Sequence, residues 1–562
     1  MTYEQRQLQS AQAEYAALPQ RPRLAAADPV VLPVRMRDGA ALRTVISRPA
    51  GNGPFPTILV RSCYPRDEPL YRLHAAAYSA RGFAFVYQFC RGTGGSEGLW
   101  RPNENERSDG SDTLAWLTSQ AWAGEIGYFG CSYLALTGWA VADIVPEQVK
   151  TLYLTHYGTD RFESAYRSGC FRQDVLTSWA MENAGQPIHA DFYESAAFRP
   201  QVHVDESLWG CRLDWYRDWI THTERSDPYW TQGFWGMLRQ VPSRVRRPVY
   251  LGAGWYDHHL GSMLLTWSAL SEESRRHSTL RIGAWNHDFQ PCTPGQKTEH
   301  LQNSDIASAF SWFTAVLKEH RLPAMQVRTY QIGADRWQSH PGFPFPSGQA
   351  LELFLSADGA LALSAEEAVP GVRRFVFDPQ DPVRSHSGEA LLYSWDDIGS
   401  LPQPPCGWRE DVLSFVSAPL TQPVELLGCA SVTLFVSTDG ADTAFTAKLM
   451  EVRPDGTAYH VRSGIATLGF REGLYAPRTS YIPGTVVPLE IRFWDINWRF
   501  PPGARLRLDI SSSDFPQYSV HSNSAGIWSE QERTRVAHQS VFCGGSFPSM
   551  LTLPVQGGYT EP

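Results

Sequence analysis

Ile126-Gly127-Tyr128-Phe129-Gly130-Cys131-Ser132-Tyr133-Leu134-Ala135 decides how this 562-residue chain folds. A short apolar strand signal runs into Gly130-Cys131-Ser132, and a helical stretch follows over 134–143. A serine at so sharp a strand-to-helix turn has its oxygen exposed, and the turn admits only small flanking residues. The serine then stands at a helix N-terminus, where unpaired backbone N–H groups can stabilise an oxyanion. Ala135 replaces the usual second glycine, which weakens the match. A packed structural serine is the alternative reading.

Working outward, apolar runs at 57–60, 83–87, 126–129 and 152–154 alternate with helical stretches at 70–79 and 111–119. Buried strands alternating with helices predict a parallel sheet covered on both faces. Upstream, Asp38-Gly39 between two apolar runs predicts a hairpin, and residues 1–28 read as a polar helix and linker. The alternation stops near 158. Residues 160–242 carry no clear strand, are rich in tryptophan (Trp179, Trp209, Trp215, Trp219, Trp230, Trp235) and read as a helical insertion, most simply a cap. Strands resume at 249–252 and 280–283. Beyond about 322, short strands at 430–437, 446–452, 487–493 and 505–510 recur without helices, which predicts a β-sandwich.

Composition narrows the function. The formal net charge is −9, with no Lys/Arg run to neutralise phosphates, which argues against a nucleic-acid binder. No apolar stretch is long enough to span a membrane, and the N-terminus as written lacks an apolar signal region. Nine cysteines, an odd number without a C-x-x-C pair, read as free thiols in a reducing cytoplasm. The 20 tryptophans either line an apolar pocket or fill cores.

A serine hydroxyl needs a base to act as nucleophile. In this layout the order is serine, acid, histidine, each in a loop after a strand. Gly252-Ala253-Gly254-Trp255-Tyr256-Asp257 follows one downstream strand and Gly283-Ala284-Trp285-Asn286-His287 the next. Singly, an aspartate there is a turn residue and a histidine is structural. Three suitable residues in order, each at a strand's C-terminal end, point to a triad of Ser132, Asp257 and His287.

These segments resemble the cocaine esterase, X-prolyl dipeptidyl-peptidase and α-amino-acid ester hydrolase group of α/β-hydrolase serine hydrolases. The resemblance rests on Gly130-Cys131-Ser132-Tyr133-Leu134, Gly254-Trp255-Tyr256-Asp257 and Gly283-Ala284-Trp285-Asn286-His287. Val60-Arg61-Ser62-Cys63-Tyr64, Arg91-Gly92 with Ser96-Glu97-Gly98, and the run from Gly503 to Pro516 extend it over about residues 30–555. It implies an α/β fold: an α/β-hydrolase core over 1–159 and 243–322, an inserted helical cap over 160–242 and a C-terminal jelly-roll β-sandwich over 323–562. It also assigns an oxyanion hole to the Tyr64 hydroxyl and the Tyr133 backbone N–H. Ala284 departs from the usual proline. Asp257 is followed by His258-His259 in place of the carboxylates that bind a substrate ammonium in α-amino-acid ester hydrolases. This disfavours a free α-amine. His259 would pack on or hydrogen-bond the substrate, or else be a solvated loop residue.

The expectation is a serine hydrolase that cleaves a carboxylic ester of a small, largely apolar acyl group through a Ser132 acyl-enzyme. Amidase, peptidase or acyltransferase chemistry on the same acyl-enzyme is the alternative, and a degenerate hydrolase kept as a binding protein is a further one. The partner expected is a small-molecule ester or amide, with no nucleic acid, membrane, cofactor or metal. A homo-oligomer is left open. Cys131 reads as a small buried thiol.

Overall fold

The computed structural model describes residues 3–19, 24–293, 301, 304–346, 348–389 and 398–557. Ten strands form the first sheet, in the spatial order Val30–Arg35, Ala41–Ser47, Ala84–Phe89, Phe55–Ser62, Ala123–Cys131, Val149–Thr155, Val249–Gly254, Thr279–Gly283, Gln326–Gln331 and Arg336–His340. All strands from Ala84–Phe89 to Gln326–Gln331 are parallel to their neighbours. An antiparallel hairpin and a final antiparallel strand close the edges. Ala84–Phe89 and Val249–Gly254 are buried at every position, as continuous apolar strands between two helix layers must be.

The hairpin pairs Arg35 with Ala41 around Asp38-Gly39, with Gly39 at φ +93°. The sheet extends past the boundary expected at 322, because Gln326–Gln331 and Arg336–His340 belong to it. Short alternating strands look alike in either domain, and only the parallel pairing of Gln326–Gln331 with Thr279–Gly283 assigns them to this sheet. The N-terminal helix, Tyr3–Ala17, is also part of the body of the protein: Ala11, Tyr15 and Leu18 are buried, and Tyr15 hydrogen-bonds the Nδ1 of His74 at 2.6 Å.

Between Val149–Thr155 and Val249–Gly254 the chain forms helices that include Arg161–Ala165, Gln173–Glu182 and Asp214–Thr221. The last of these buries Tyr216, Trp219 and Ile220, one face at helical spacing. A two-residue hairpin, Tyr166–Arg167 with Cys170–Phe171, interrupts the helices where no strand was expected. Among the described residues, thirteen short strands form the C-terminal β-rich domain. In Ser431–Thr438 buried positions alternate with half-buried ones. No helix among the described residues is long and apolar enough to cross a membrane.

The β-rich domain is docked on the other two parts. Ser519 donates its N–H to the Phe171 carbonyl of the hairpin at 2.9 Å. Arg462, fully buried, donates to the carbonyls of Trp255 and Asp495 at 2.6 Å each and pairs with Glu389 at 3.2 Å. Removing one partner of a buried ion pair leaves an uncompensated charge. Arg462→Met should therefore lower stability by about 3–5 kcal/mol, read as an earlier urea midpoint.

Candidate active site

Ser132 lies between the strand Ala123–Cys131 and the helix Tyr133–Trp139 with φ +57° and ψ −126°. A non-glycine residue holds such a conformation only where its surroundings enforce it. Here the Ser132 N–H donates to the Thr155 carbonyl at 2.9 Å. A Cβ on Gly130 would come within 2.3 Å of the Leu134 carbonyl oxygen. Glycine is therefore required two residues before the serine, and Ala135, fully buried, fits as the second small residue.

The loops after two further strands bring the other two residues to Ser132. The His287 Nε2 accepts from Ser132 Oγ at 2.9 Å, and His287 Nδ1 donates to Asp257 Oδ2 at 2.6 Å. The tautomer protonated at Nδ1 satisfies both bonds. The loops are knitted by backbone bonds from Trp255 to Gly283 and from Tyr256 to Trp285. A Cβ on Gly254 would meet the Trp285 carbonyl oxygen at 2.2 Å, so their close approach requires glycine. Asp257 is fully buried and also accepts from the His259 N–H at 2.5 Å.

Burial opposes the charge on Asp257, but His287 and His156 outweigh it and hold the carboxyl below its usual range. Burial also opposes the imidazolium of His287, and Asp257 more than offsets it, so His287 titrates above its usual 6.5. His156, His258 and His259 are almost fully buried. Burial brings His156 down to about 3 and holds the other two well below their usual value, so all three are neutral at pH 7. His259 is not a solvated loop residue: its Nδ1 hydrogen-bonds Ser164 at 2.8 Å and its ring packs on Tyr157.

Tyr64 and Tyr133 line the same cavity of about 720 Å³ as Ser132 and His287. Burial raises the Tyr64 phenol, which keeps its proton to donate. Its oxygen accepts from the Trp179 indole N–H at 2.9 Å, leaving the hydroxyl hydrogen free to point elsewhere. The Tyr133 side chain turns away from the serine, donating to Glu106 at 3.0 Å and accepting from the Asn103 N–H. Its own N–H, at the first helical position, has no partner within the helix. Sequence reading missed Trp179, His156 and Glu106, which act on residues far away in the chain; only the tryptophan-rich cap hinted at the first. Cys131, expected as a small buried thiol, is half-buried and borders the cavity, with Sγ 3.6 Å from His156 Nδ1.

Trp179, Trp219, Leu176, Val175 and Tyr157 form an apolar wall of the cavity, and residues of the N-terminal helix border it elsewhere. The tryptophans thus divide between pocket and core, since Trp230 and Trp267 are fully buried. Donor atoms of Asp257, His258 and His287 lie within 4.8 Å of one another, a spacing a cation could bridge. The bond between Asp257 and His287 already engages the facing atoms of two of them.

Comparison with known proteins covers both ends of the chain. Residues 38–288 match the X-Pro dipeptidyl-peptidase (S15 family). Residues 322–552 match the X-Pro dipeptidyl-peptidase C-terminal non-catalytic domain. Cocaine esterase of Rhodococcus sp. (strain MB1 Bresler) is 29% identical, over 93% of this chain and 97% of its own. Among solved structures, an aminopeptidase from a marine-sediment Thaumarchaeota archaeon superposes with a TM-score of 0.80 at 21% identity, covering 96% of this chain and 98% of its own. An α-amino acid ester hydrolase superposes at 0.77 with 21% identity and the same coverage.

In Asp257→Asn, burial becomes the main influence on His287. Its imidazole should then titrate below 6.5 instead of above it, as followed by NMR of 15N-histidine-labelled protein. An unmoved titration would contradict the pairing.

Proposed function

From the premise that this chain is a serine hydrolase of the cocaine esterase, X-Pro dipeptidyl-peptidase and α-amino-acid ester hydrolase group, we propose that it cleaves a carboxylic ester of a small acyl group through an acyl-enzyme on Ser132. The observation that carries this reading is the continuous hydrogen-bond chain from Ser132 through His287 to buried Asp257. Ser132 Oγ attacks the acyl carbon as its proton passes to His287 Nε2. Asp257 holds the ring in the required tautomer and stabilises the imidazolium. The tetrahedral oxyanion is held by the Tyr64 hydroxyl and the Tyr133 N–H, and His287 returns the proton to the leaving alcohol. Water, deprotonated by the same imidazole, then releases the acid and restores Ser132.

Trp179 is the positioning residue of this scheme. By donating to the Tyr64 oxygen it fixes the phenol and leaves that hydroxyl's own hydrogen to aim at the oxyanion. The aromatic wall supports a small, largely apolar acyl portion. Amide or peptide cleavage uses the same steps, and the family match favours it as the second reading. Against a free α-amine, the acid loop continues with His258 and His259. We also assign the β-rich domain a jelly-roll form. We place the protein in the cytoplasm and give it a small-molecule partner rather than nucleic acid or membrane, as its nine unpaired thiols and net acidic charge support.

Wild-type protein should label with a fluorophosphonate at Ser132, and Ser132→Ala should abolish labelling and turnover of 4-nitrophenyl esters. A wild-type protein that resists the probe overturns the reading. Aminoacyl 4-nitroanilides in the same panel separate the two readings. Tyr64→Phe should lower kcat by roughly 10²–10³ and Trp179→Phe by roughly 5–10-fold. The free-enzyme kcat/KM should fall as pH drops through the His287 titration above 6.5, because only the neutral ring accepts the serine proton.

A further inference from the structure

Arg161 begins the cap helix Arg161–Ala165 and lines the catalytic cavity, yet it is only 8% exposed. A buried guanidinium calls for a counter-charge or a full set of hydrogen bonds. The carboxylates nearest in sequence are engaged elsewhere. Asp160 pairs with Arg225 and Arg239. Glu163 pairs with Arg167 at 2.6 Å and accepts from Trp494 and Tyr475. Among the described residues no carboxylate oxygen lies within 4.0 Å of the Arg161 guanidinium, and its Nε has no hydrogen-bond partner.

What surrounds Arg161 is aromatic and neutral. Its Cζ lies 4.7 Å from the ring centre of Trp219 and 5.9 Å from that of Trp235, and the Tyr157 phenol is its polar neighbour. The buried Nδ1 of His258 is also without a partner, and the His258 ring lies 4.5 Å from the ring of His287. Burial, aided by positive charges that include Arg161, holds His258 and His259 neutral even though Asp257 favours the charged form of His259, so neither ring competes with Arg161 for an incoming anion. The cavity is thus bordered by a cation that has aromatic neighbours but no counter-carboxylate, and by an imidazole nitrogen without a hydrogen-bond partner.

We propose that Arg161, with His258 beside it, receives a carboxylate carried by the ester substrate, so that the enzyme acts on carboxylate-bearing esters. The inference rests on the serine-esterase reading and deepens it. The carboxylate has two sources with the same chemistry: the far end of a dicarboxylic half-ester, or the alcohol portion of an acylated hydroxy acid.

The test uses the full-length protein and two pairs of esters. For the acyl side, 4-nitrophenyl hemiglutarate is compared with neutral 4-nitrophenyl valerate. For the alcohol side, 4-acetoxybutyrate is compared with butyl acetate. The wild type should prefer the charged ester in at least one pair. Arg161→Met should lower the charged-to-neutral ratio of kcat/KM in that pair by about 100-fold. Arg161→Lys keeps the buried charge but loses the forked geometry, and should lower the ratio by about tenfold. It also serves as the second variant should the methionine protein fail to fold. An unchanged ratio in the variants, or a wild type without preference in either pair, overturns the inference. Fluorophosphonate labelling of each protein keeps the two failures apart: an unlabelled wild type sinks the esterase reading, and a labelled one without preference sinks only the role of Arg161.

Discussion

A single buried carboxylate imposes order on the rest of this site. Asp257 has no exposure, and an ionised carboxylate in such a place must be surrounded by donors. It is met by the His287 ring on one oxygen and the His259 N–H on the other, with His156 Nε2 4.0 Å away. The two donors come from the chain after Val249–Gly254 and after Thr279–Gly283, and the nearby His156 follows Val149–Thr155, so the three come from adjacent strands of the parallel sheet. The sheet's parallel order is thus what lets one charge be hydrogen-bonded from two loops and approached from a third, all at strand C-terminal ends.

The charge also explains why so many histidines gather here without the site becoming cationic. Burial drives three of the four rings neutral, and only His287, which takes the direct 2.6 Å bond, is held above its ordinary value. Neighbouring imidazoles in this cavity therefore shift in opposite directions, because only His287 is hydrogen-bonded to the carboxylate. Aromatic walls enforce the dryness on which this difference depends.

Much of this was legible in the chain. The elbow, the hairpin at Asp38-Gly39 and the loops carrying Asp257 and His287 are short-range patterns, and each is written within about ten residues. What was not legible depends on pairing at a distance. Gln326–Gln331 looks like any short strand until its parallel partner is known. Trp179 and Tyr64 are 115 residues apart, and nothing local marks one as donor to the other. Nothing local marks Arg161, because a missing counter-ion is visible only when all its neighbours are placed. Cys131, which reads as a small buried thiol, is half-buried and borders the cavity.

The C-terminal domain matches a family described as non-catalytic, yet it reaches the loop that carries Asp257. Arg462 holds the carbonyl of Trp255, two residues before Asp257, and the same guanidinium is tied to Glu389. The loop carrying Asp257 is therefore shared between two domains. Modular recombination in this architecture has a constraint that the elbow and the cap would not reveal. A chimaera that joined this catalytic half to a foreign β-domain would need an arginine at the same register, facing the same carbonyl, before the graft could support turnover.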